Sequence, residues 1–432
     1  MVFILLVSLA IGIFVINIPI AFAIGLSSIV AVLMGNLFLN ETLNYSIFAQ
    51  RLFSGPDSFV LSCIPFFILA GEIMGKGAIG RRLLDFCGLF VGRIPGGLAQ
   101  VDITSSMIIS GITGSSAADA SAIGGMIIPR MIKEGYGKGF TAAVSSAATT
   151  VGVIIPPSIP MVLYSVITGT SLISLYLAGF GPGVLFSISM MITAYIISKR
   201  RGYPKCVIGL SLREIVSTTY KSLLAIFMPL IMIGGVLVGV FTATEGGAVA
   251  VFYGLIVEVF VYKEMKIRDL PEMLLNTVVG TGVMLFVLGN ANLYGWLLTY
   301  DQGPQAILKL ITSMTNNPTY TMIIIIVIYL ILGCIMDLSV NLLMIVPLFM
   351  PLVQQMGWDP IHFGMVTICA LAIGLVTPPF GMCLFVTTYI ADADILDVSK
   401  ELIPFIVAIA FIVCLIAFIP GISLFLPRLL AH

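Results

Sequence analysis

The sequence predicts an all-α polytopic membrane protein made of two inverted structural repeats, each with a re-entrant hairpin and a broken transmembrane helix. Three observations carry this: the composition, two double prolines set inside long apolar runs, and an internal match at an offset of 222 residues. Of 432 residues, 59% are apolar and 9% charged, and the mean hydropathy is +1.15. Soluble domains carry about 25% charged residues, so soluble enzymes and disordered chains are excluded. Twenty basic and twenty acidic residues leave no basic surplus for nucleic acid and no acidic tail. The lipid bilayer is the expected surrounding.

A spanning helix needs about 20 apolar residues. Runs of that kind cover 2–35, 57–75, 96–112, 139–170, 172–197, 220–262, 273–299, 318–335, 361–390 and 402–427. Those at 2–35 and 220–262 are long enough for two short helices each. The first lacks a basic leader and a small-residue cleavage site, so it reads as a retained membrane segment. Polar stretches at 76–94 and 303–316 suit helices lying along the membrane surface.

Four segments depart from simple spanning. GITGSSAADASAIGGMIIPRMIKEGYG (111–137) and GCIMDLSVNLLMIVPLFMPLVQQMGW (333–358) open with small or polar residues and contain proline before a polar turn. Each reads as a re-entrant hairpin, a shape tolerated at membrane depth only where protein buries it or water reaches it. VGVIIPPSIPMVLY (151–164) and IGLVTPPFGMCLFV (373–386) set paired prolines in mid-run. Each pair removes two backbone donors and clashes with the preceding turn, so the helices over 139–170 and 361–390 should be discontinuous.

The offset superposes Gly111 on Gly333, Pro129 on Pro351, Gly152 on Gly374 and Pro156-Pro157 on Pro378-Pro379. Because the matches fall on residues that set backbone geometry, the chain divides into repeats at 1–205 and 206–432. Arg130, Lys133 and Lys138 follow the first hairpin, whereas QQMGWDP after the second has no basic residue. By the positive-inside rule the first hairpin opens to the cytoplasm and the second to the outside.

Hairpin tips and helix breaks bring unpaired carbonyls, which suit Na⁺, and half-helix N-termini, which attract anions, to the midplane. The first half offers Thr113, Ser115, Ser116, Asp119 and Ser121, with Ser158 beside its break. The second offers Asp337, Ser339 and Asn341, with Thr377 beside its break. Intramembrane carboxylates are costly and point to function; the structural alternative for Asp119 and Asp337 is a hydrogen-bonded acid or helix cap. Hydroxyls also bond back to helix carbonyls. Glu245 reads as a cap, Glu72 sits in a GxxxG packing stretch, and with Asp102 they are the acids a proton-coupled mechanism would use. No basic residue lies in the expected core to clamp a carboxylate. Seven scattered cysteines and two histidines form no transition-metal or haem motif, and no phosphate-binding GxxxxGK[ST] loop is present.

GSSAADASAIGGMIIPRM, VIIPPSIPMVLY, MDLSVNLLMIVPLFMP and GLVTPPFGMCLFV, with FTATEGGAVAV upstream of the second half, resemble the large membrane subunit of the tripartite ATP-independent periplasmic (TRAP) transporters. The resemblance covers essentially the whole chain. It implies an elevator-type secondary transporter in the bacterial inner membrane, with Na⁺ as coupling ion and no organic cofactor. The implied partners are a small membrane subunit, separate here because no fused extension is seen, and a periplasmic substrate-binding protein. The implied substrate is a small organic acid such as a C4-dicarboxylate, a sialic acid or a sugar acid. Carried onto this chain, one sodium site would draw on Thr113, Ser115, Ser116 and Asp119 with Gly152, Ile155, Pro156 and Ser158. The other would draw on Asp337, Ser339 and Asn341 with Gly374, Thr377, Pro378 and Gly381. Substrate would be held by Ser115, Ser116, Pro157, Ser158 and Pro379. The alternative is a stand-alone sodium- or proton-coupled organic anion symporter of similar fold. An intramembrane enzyme lacks any catalytic pair, and a channel would more naturally show a symmetric filter.

Overall fold

The computed structural model describes residues 18–38, 43–206, 211–379 and 381–430, with positions 5, 8, 9 and 12 before them. Most of the apolar run preceding residue 18, and with it the expectation of a retained N-terminal segment, lies outside the described residues. Within them the fold is all-helical, with no strands. Eight of the described helices are long and apolar enough to cross a bilayer.

In chain order, α1 (Ile20–Phe38), α2 (Ser46–Ser54) and α3 (Cys63–Lys76) lead to α4 (Ala78–Val91). The first hairpin is α5 (Gly97–Thr113) and α6 (Ser116–Lys133). The first broken helix is α7 (Lys138–Thr149), a 3₁₀ turn at Thr150–Val153, and α8 (Ile159–Thr168). Then come α9 (Leu172–Arg201), α10 (Leu212–Leu237), α11 (Ala243–Ile256, continued as a π-helix through Val257–Tyr262), α12 (Leu270–Tyr300) and α13 (Gly303–Met314). The second hairpin is α14 (Pro318–Gly333) and α15 (Leu338–Gln355). The second broken helix is α16 (Pro360–Gly374) and α17 (Met382–Ala391), and α18 (Ile395–Phe418) and α19 (Gly421–Leu430) close the chain. Under the 222-residue offset α6 coincides with α15 end to end.

Three expectations shift. The first hairpin begins at Gly97, not 111: residues 111–113 are the last turn of α5, and the chain reverses at Gly114, whose φ of +59° glycine adopts without strain. By the same token 318–335 is the first arm of the second hairpin, α14, rather than a separate span. The run at 402–427 splits, because Pro420 ends one helix and starts another. The run at 220–262 forms two helices, α10 and α11, separated by Val238–Thr242. Both begin with a capping box, Ser211 with Glu214 and Thr242 with Glu245, so Glu245 is a cap.

The hairpins open at opposite ends of the molecule. The α6–α7 link lies at the end where Lys138 pairs with Asp392 at 2.8 Å and Arg201 with Glu401 at 2.9 Å. The α15–α16 link lies beyond the break, where the Tyr164 hydroxyl donates to the Pro360 carbonyl at 2.7 Å. Each hairpin packs on the half-helix that follows the other's break: α6 on α17, and α15 on α8. α4 is fixed at its start by Glu258, buried at the end of α11, whose carboxylate accepts from Ala78 N–H at 2.9 Å and Ile79 N–H at 2.6 Å. This replaces the donors' missing intrahelical partners.

Small residues set the closest approaches. Gly71, in the GxxxG stretch of α3, faces Thr113, where an added Cβ would come within 2.8 Å of the methyl. Gly333 of α14 crosses Gly374 of α16 so tightly that a Cβ on Gly374 would overlap the Gly333 backbone. Gly374→Ala is therefore expected to cost about 1–3 kcal/mol by overpacking. Gly125→Ala, where nothing lies within 4 Å of the new carbon, should be neutral or stabilising by up to about 1 kcal/mol through helix propensity. Thermal unfolding in detergent compares them, and equal midpoints would refute the packing argument.

Candidate functional site

Both hairpin tips and both half-helices beyond the breaks meet at one cavity of about 360 Å³. Its wall contains the starts of α6 (Ser116), α8 (Ile159), α15 (Leu338) and α17 (Met382), together with residues of α1, α3 and α12. The four helix N-termini of the hairpin tips and breaks thus line one space, beside the start of α1 at Ile20. Each carries about half a positive charge and backbone N–H groups without intrahelical partners. Among the described residues no lysine or arginine is in the wall, and Asp337 is its one ionisable carboxylate.

At the first tip, Ser115 is extended (φ −134°) and precedes α6. Its side chain makes no cap bond, which leaves its hydroxyl to the cavity. Ser116 also lines the cavity, but its hydroxyl donates to the Thr149 carbonyl at 2.7 Å, tying the hairpin to the end of α7. Behind them, Thr113 donates to the buried Asp119 carboxylate at 2.6 Å. The Gly114 carbonyl accepts from Ile159 N–H at 3.3 Å, joining the tip to the start of α8.

At the second tip, Asp337 caps α15 by accepting from Ser339 N–H at 2.9 Å, and both residues line the cavity. Asn341 is fully buried, and its amide donates to the carbonyls of Leu332, Met336 and Asp337 at 3.2, 3.0 and 3.2 Å. One side chain therefore gathers the end of α14 and the tip. Thr377 donates back to Ile373 at 2.7 Å at the end of α16. Across the same break, Cys383 N–H donates to the Leu375 carbonyl at 3.1 Å.

The remaining expected residues sit behind or beside the cavity. Ser158 is committed to the break: its hydroxyl donates to Val153 O at 2.6 Å and accepts from Met161 N–H at 3.4 Å as the cap of α8. Gly152, Ile155, Pro156 and Pro157 are buried in that break, where the Pro156 carbonyl lies against Gly111. Gly374 makes the helix crossing, Gly381 packs on the 375–377 backbone, and Pro378 and Pro379 are exposed. Pro157, Ser158 and Pro379, expected to touch substrate, are outside the cavity wall. Ser121 is also away from it, in a groove between α6 and α17. Glu72 accepts from Asn276 at 3.2 Å, and Asp102 is buried beside Ser145 in the body of the first hairpin. The apolar wall residues Ile64, Leu288 and Leu343 carried no sequence signal, since they look like any residue of an apolar helix.

The family model described as "Tripartite ATP-independent periplasmic transporter, DctM component" matches residues 2–422. The chain belongs to this family. It is 35% identical over 380 residues to the C4-dicarboxylate TRAP transporter large permease protein DctM of Pseudomonas aeruginosa, covering 88% of this chain and 89% of that protein. It is 34% identical to the sialic acid TRAP transporter large permease protein SiaM of Vibrio cholerae, covering 93% and 94%. It is 38% identical to the uncharacterised protein YgiK of Salmonella typhimurium, covering 96% and 95%. The YdaH transporter of Alcanivorax borkumensis, whose crystal structure has an unusual topology, shares the fold: TM-score 0.58, 13% identity, 87% of this chain and 88% of that one. A TRAP large permease is a membrane transporter component, not an enzyme.

Within this permease the Asn341 clamp should be indispensable. Asn341→Ala removes the amide donor shared by the carbonyls of Leu332, Met336 and Asp337, the first and last of which keep backbone N–H donors, and is expected to lower stability by about 1–3 kcal/mol. Ser121→Ala, away from the cavity, should change it by less than about 0.5 kcal/mol. Denaturation of both variants in the same detergent measures this; a harmless Asn341→Ala would mean that the tip does not depend on the clamp.

Proposed function

We propose that this permease carries out sodium-coupled secondary uptake of a small organic acid across the bacterial inner membrane. The acid is delivered by a periplasmic substrate-binding protein, and a small membrane subunit completes the complex. The observation that carries the reading is the convergence of four helix N-termini on a cavity without a basic side chain. Such a space favours an anion through backbone donors and dipoles, and its volume falls in the usual range for small-molecule sites. Relatives named for C4-dicarboxylate and sialic acid transport agree with that class of substrate.

In this reading each hairpin tip holds a cation. Thr113, Ser115 and Asp119 with carbonyls of the first break form one set, and Asp337, Ser339 and Asn341 with carbonyls near Thr377 form the other. Hard monovalent cations prefer such oxygen ligands, and a carboxylate in each set offsets the charge. The two halves, 1–205 and 206–432, act as inverted repeats. Their hairpins and broken helices form the body that moves past a scaffold of α1, α3 and α10–α12. In this reading the end where the first hairpin opens, rich in basic residues, faces the cytoplasm.

Two experiments test this. In proteoliposomes containing both membrane subunits, uptake of a labelled C4-dicarboxylate or sialic acid should require an inward Na⁺ gradient and the binding protein. Asp119→Asn and Asp337→Asn should each raise the Na⁺ concentration needed at least tenfold. Uptake driven by a pH gradient alone would sink sodium coupling, and uptake of free acid without the binding protein would favour a stand-alone symporter. Separately, Gly295 of α12 lies against the Leu343 backbone of α15. A disulfide between Gly295→Cys and Leu343→Cys should arrest uptake reversibly, whereas full activity after crosslinking would rule out movement of the hairpin body along α12.

A further inference from the structure

Away from the transport cavity, a second, polar pocket of about 320 Å³ lies where the start of α4 meets the N-terminal part of α10 and the connection after α11. It is at the end of the molecule that carries most of the basic residues; only Arg51, Lys309 and Arg428 lie towards the other end. Arg81, Arg82, Asp85, Thr218, Lys221 and Glu264 line it. Three of its charges are already answered: Glu264 pairs with Arg81, and Asp85 lies 3.7 Å from Arg130 outside the pocket. Among the described residues, Arg82 and Lys221 have no carboxylate within ion-pair distance.

Arg82 is held in place from three sides. Its guanidinium lies 3.5 Å from the centre of the Tyr262 ring and donates to the Lys221 carbonyl at 2.8 Å, and its own carbonyl accepts from the Ser222 hydroxyl at 2.9 Å. A guanidinium fixed by stacking keeps its other N–H groups oriented for a planar or tetrahedral oxyanion. The exposed Lys221 and the Thr218 hydroxyl supply further donors at the mouth. Along α10 from the level of this pocket runs an outward stripe of Tyr220, Leu223 and Phe227, respectively 79%, 43% and 44% exposed, and α11 adds Phe260 at 67%. A ligand that satisfies both features has an anionic phosphate head attached to hydrocarbon.

We propose that this pocket binds the phosphate headgroup of an anionic phospholipid of the inner leaflet, with its acyl chains lying along α10. Basic pockets between helices on the cytoplasmic side recognise lipid headgroups in this way. Bound lipid would clamp α4 to α10.

The test uses the full chain in detergent, following its thermal midpoint during titration with phosphatidylglycerol, phosphatidylcholine or inorganic phosphate. Phosphatidylglycerol should raise the midpoint where phosphatidylcholine does not. Lys221→Gln should need about fivefold more phosphatidylglycerol for the same rise, the effect of removing one basic side chain at a lipid surface. Thr218→Val should weaken the response in the same direction, and Lys221→Arg should preserve it. Lys205→Gln, exposed at the same end but outside the pocket, should leave it unchanged. Equal rises with phosphatidylcholine, an equal rise with the same concentration of inorganic phosphate, or an equal loss in Lys205→Gln would each overturn the proposal, pointing to detergent exchange, a soluble anion or diffuse surface charge.

Discussion

The first turn of every α-helix leaves backbone N–H groups without partners, and in the interior of a membrane no bulk water is present to satisfy them. Everything else about this fold follows from placing four such turns around one cavity. The paired prolines force two of them, because a helix that meets Pro156-Pro157 or Pro378-Pro379 must stop and begin again. The hairpin reversals supply the other two. Caps then absorb part of the donor capacity, through Ser158 on α8 and Asp337 on α15. What remains faces the cavity, in whose wall no lysine or arginine is found among the described residues.

The two halves solve the tip in mirrored ways. Under the 222-residue offset Ser115 is the counterpart of Asp337, and Asp119 the counterpart of Asn341. Each tip thus has one carboxylate and one neutral side chain, but in exchanged positions. In the first half the carboxylate is buried one turn into the helix and takes the Thr113 hydroxyl. In the second it stands at the cap on the cavity wall, and the inner position becomes an amide that gathers three carbonyls. The body of the hairpin is less balanced: Asp102 and Ser145 correspond to Ile324 and Thr367. A buried acid at that register is therefore a property of the first half and not a requirement of the fold.

Much of this was legible in the sequence, because proline and glycine act through the backbone and leave the same mark wherever they fall. The two breaks and both hairpins follow from such marks. The first hairpin's starting point did not. The small or polar Gly111 and Thr113 suggested irregular backbone, yet residues 111–113 are helical, and the smallness of Gly111 serves the approach of α5 to the first break, where it meets the Pro156 carbonyl. Packing and turning call for the same residues, so composition alone cannot separate them. Nor could it tell Ser158, spent on holding its break together, from Ser115, whose hydroxyl faces the cavity. The apolar wall was illegible for a further reason: in a chain that is 59% apolar, a cavity-facing leucine and a lipid-facing one obey the same rule.

The position of Asp337 bears on how ion and substrate would be linked in the proposed transport cycle. A carboxylate substrate in the cavity would lie within a few ångströms of that side chain. At about 5 Å and an effective dielectric of about 20, two like charges repel by roughly 3 kcal/mol, enough to cancel much of what the helix termini contribute. A cation bound beside Asp337 attracts the anion by a similar amount and so cancels that repulsion. Anion binding would then be more than a hundredfold stronger with the cation in place, and by linkage the anion strengthens cation binding by the same factor. A lysine or arginine in the wall would bind the anion permanently and abolish that dependence. The absence of basic side chains from the cavity wall is thus what would make the ion and the acid travel together.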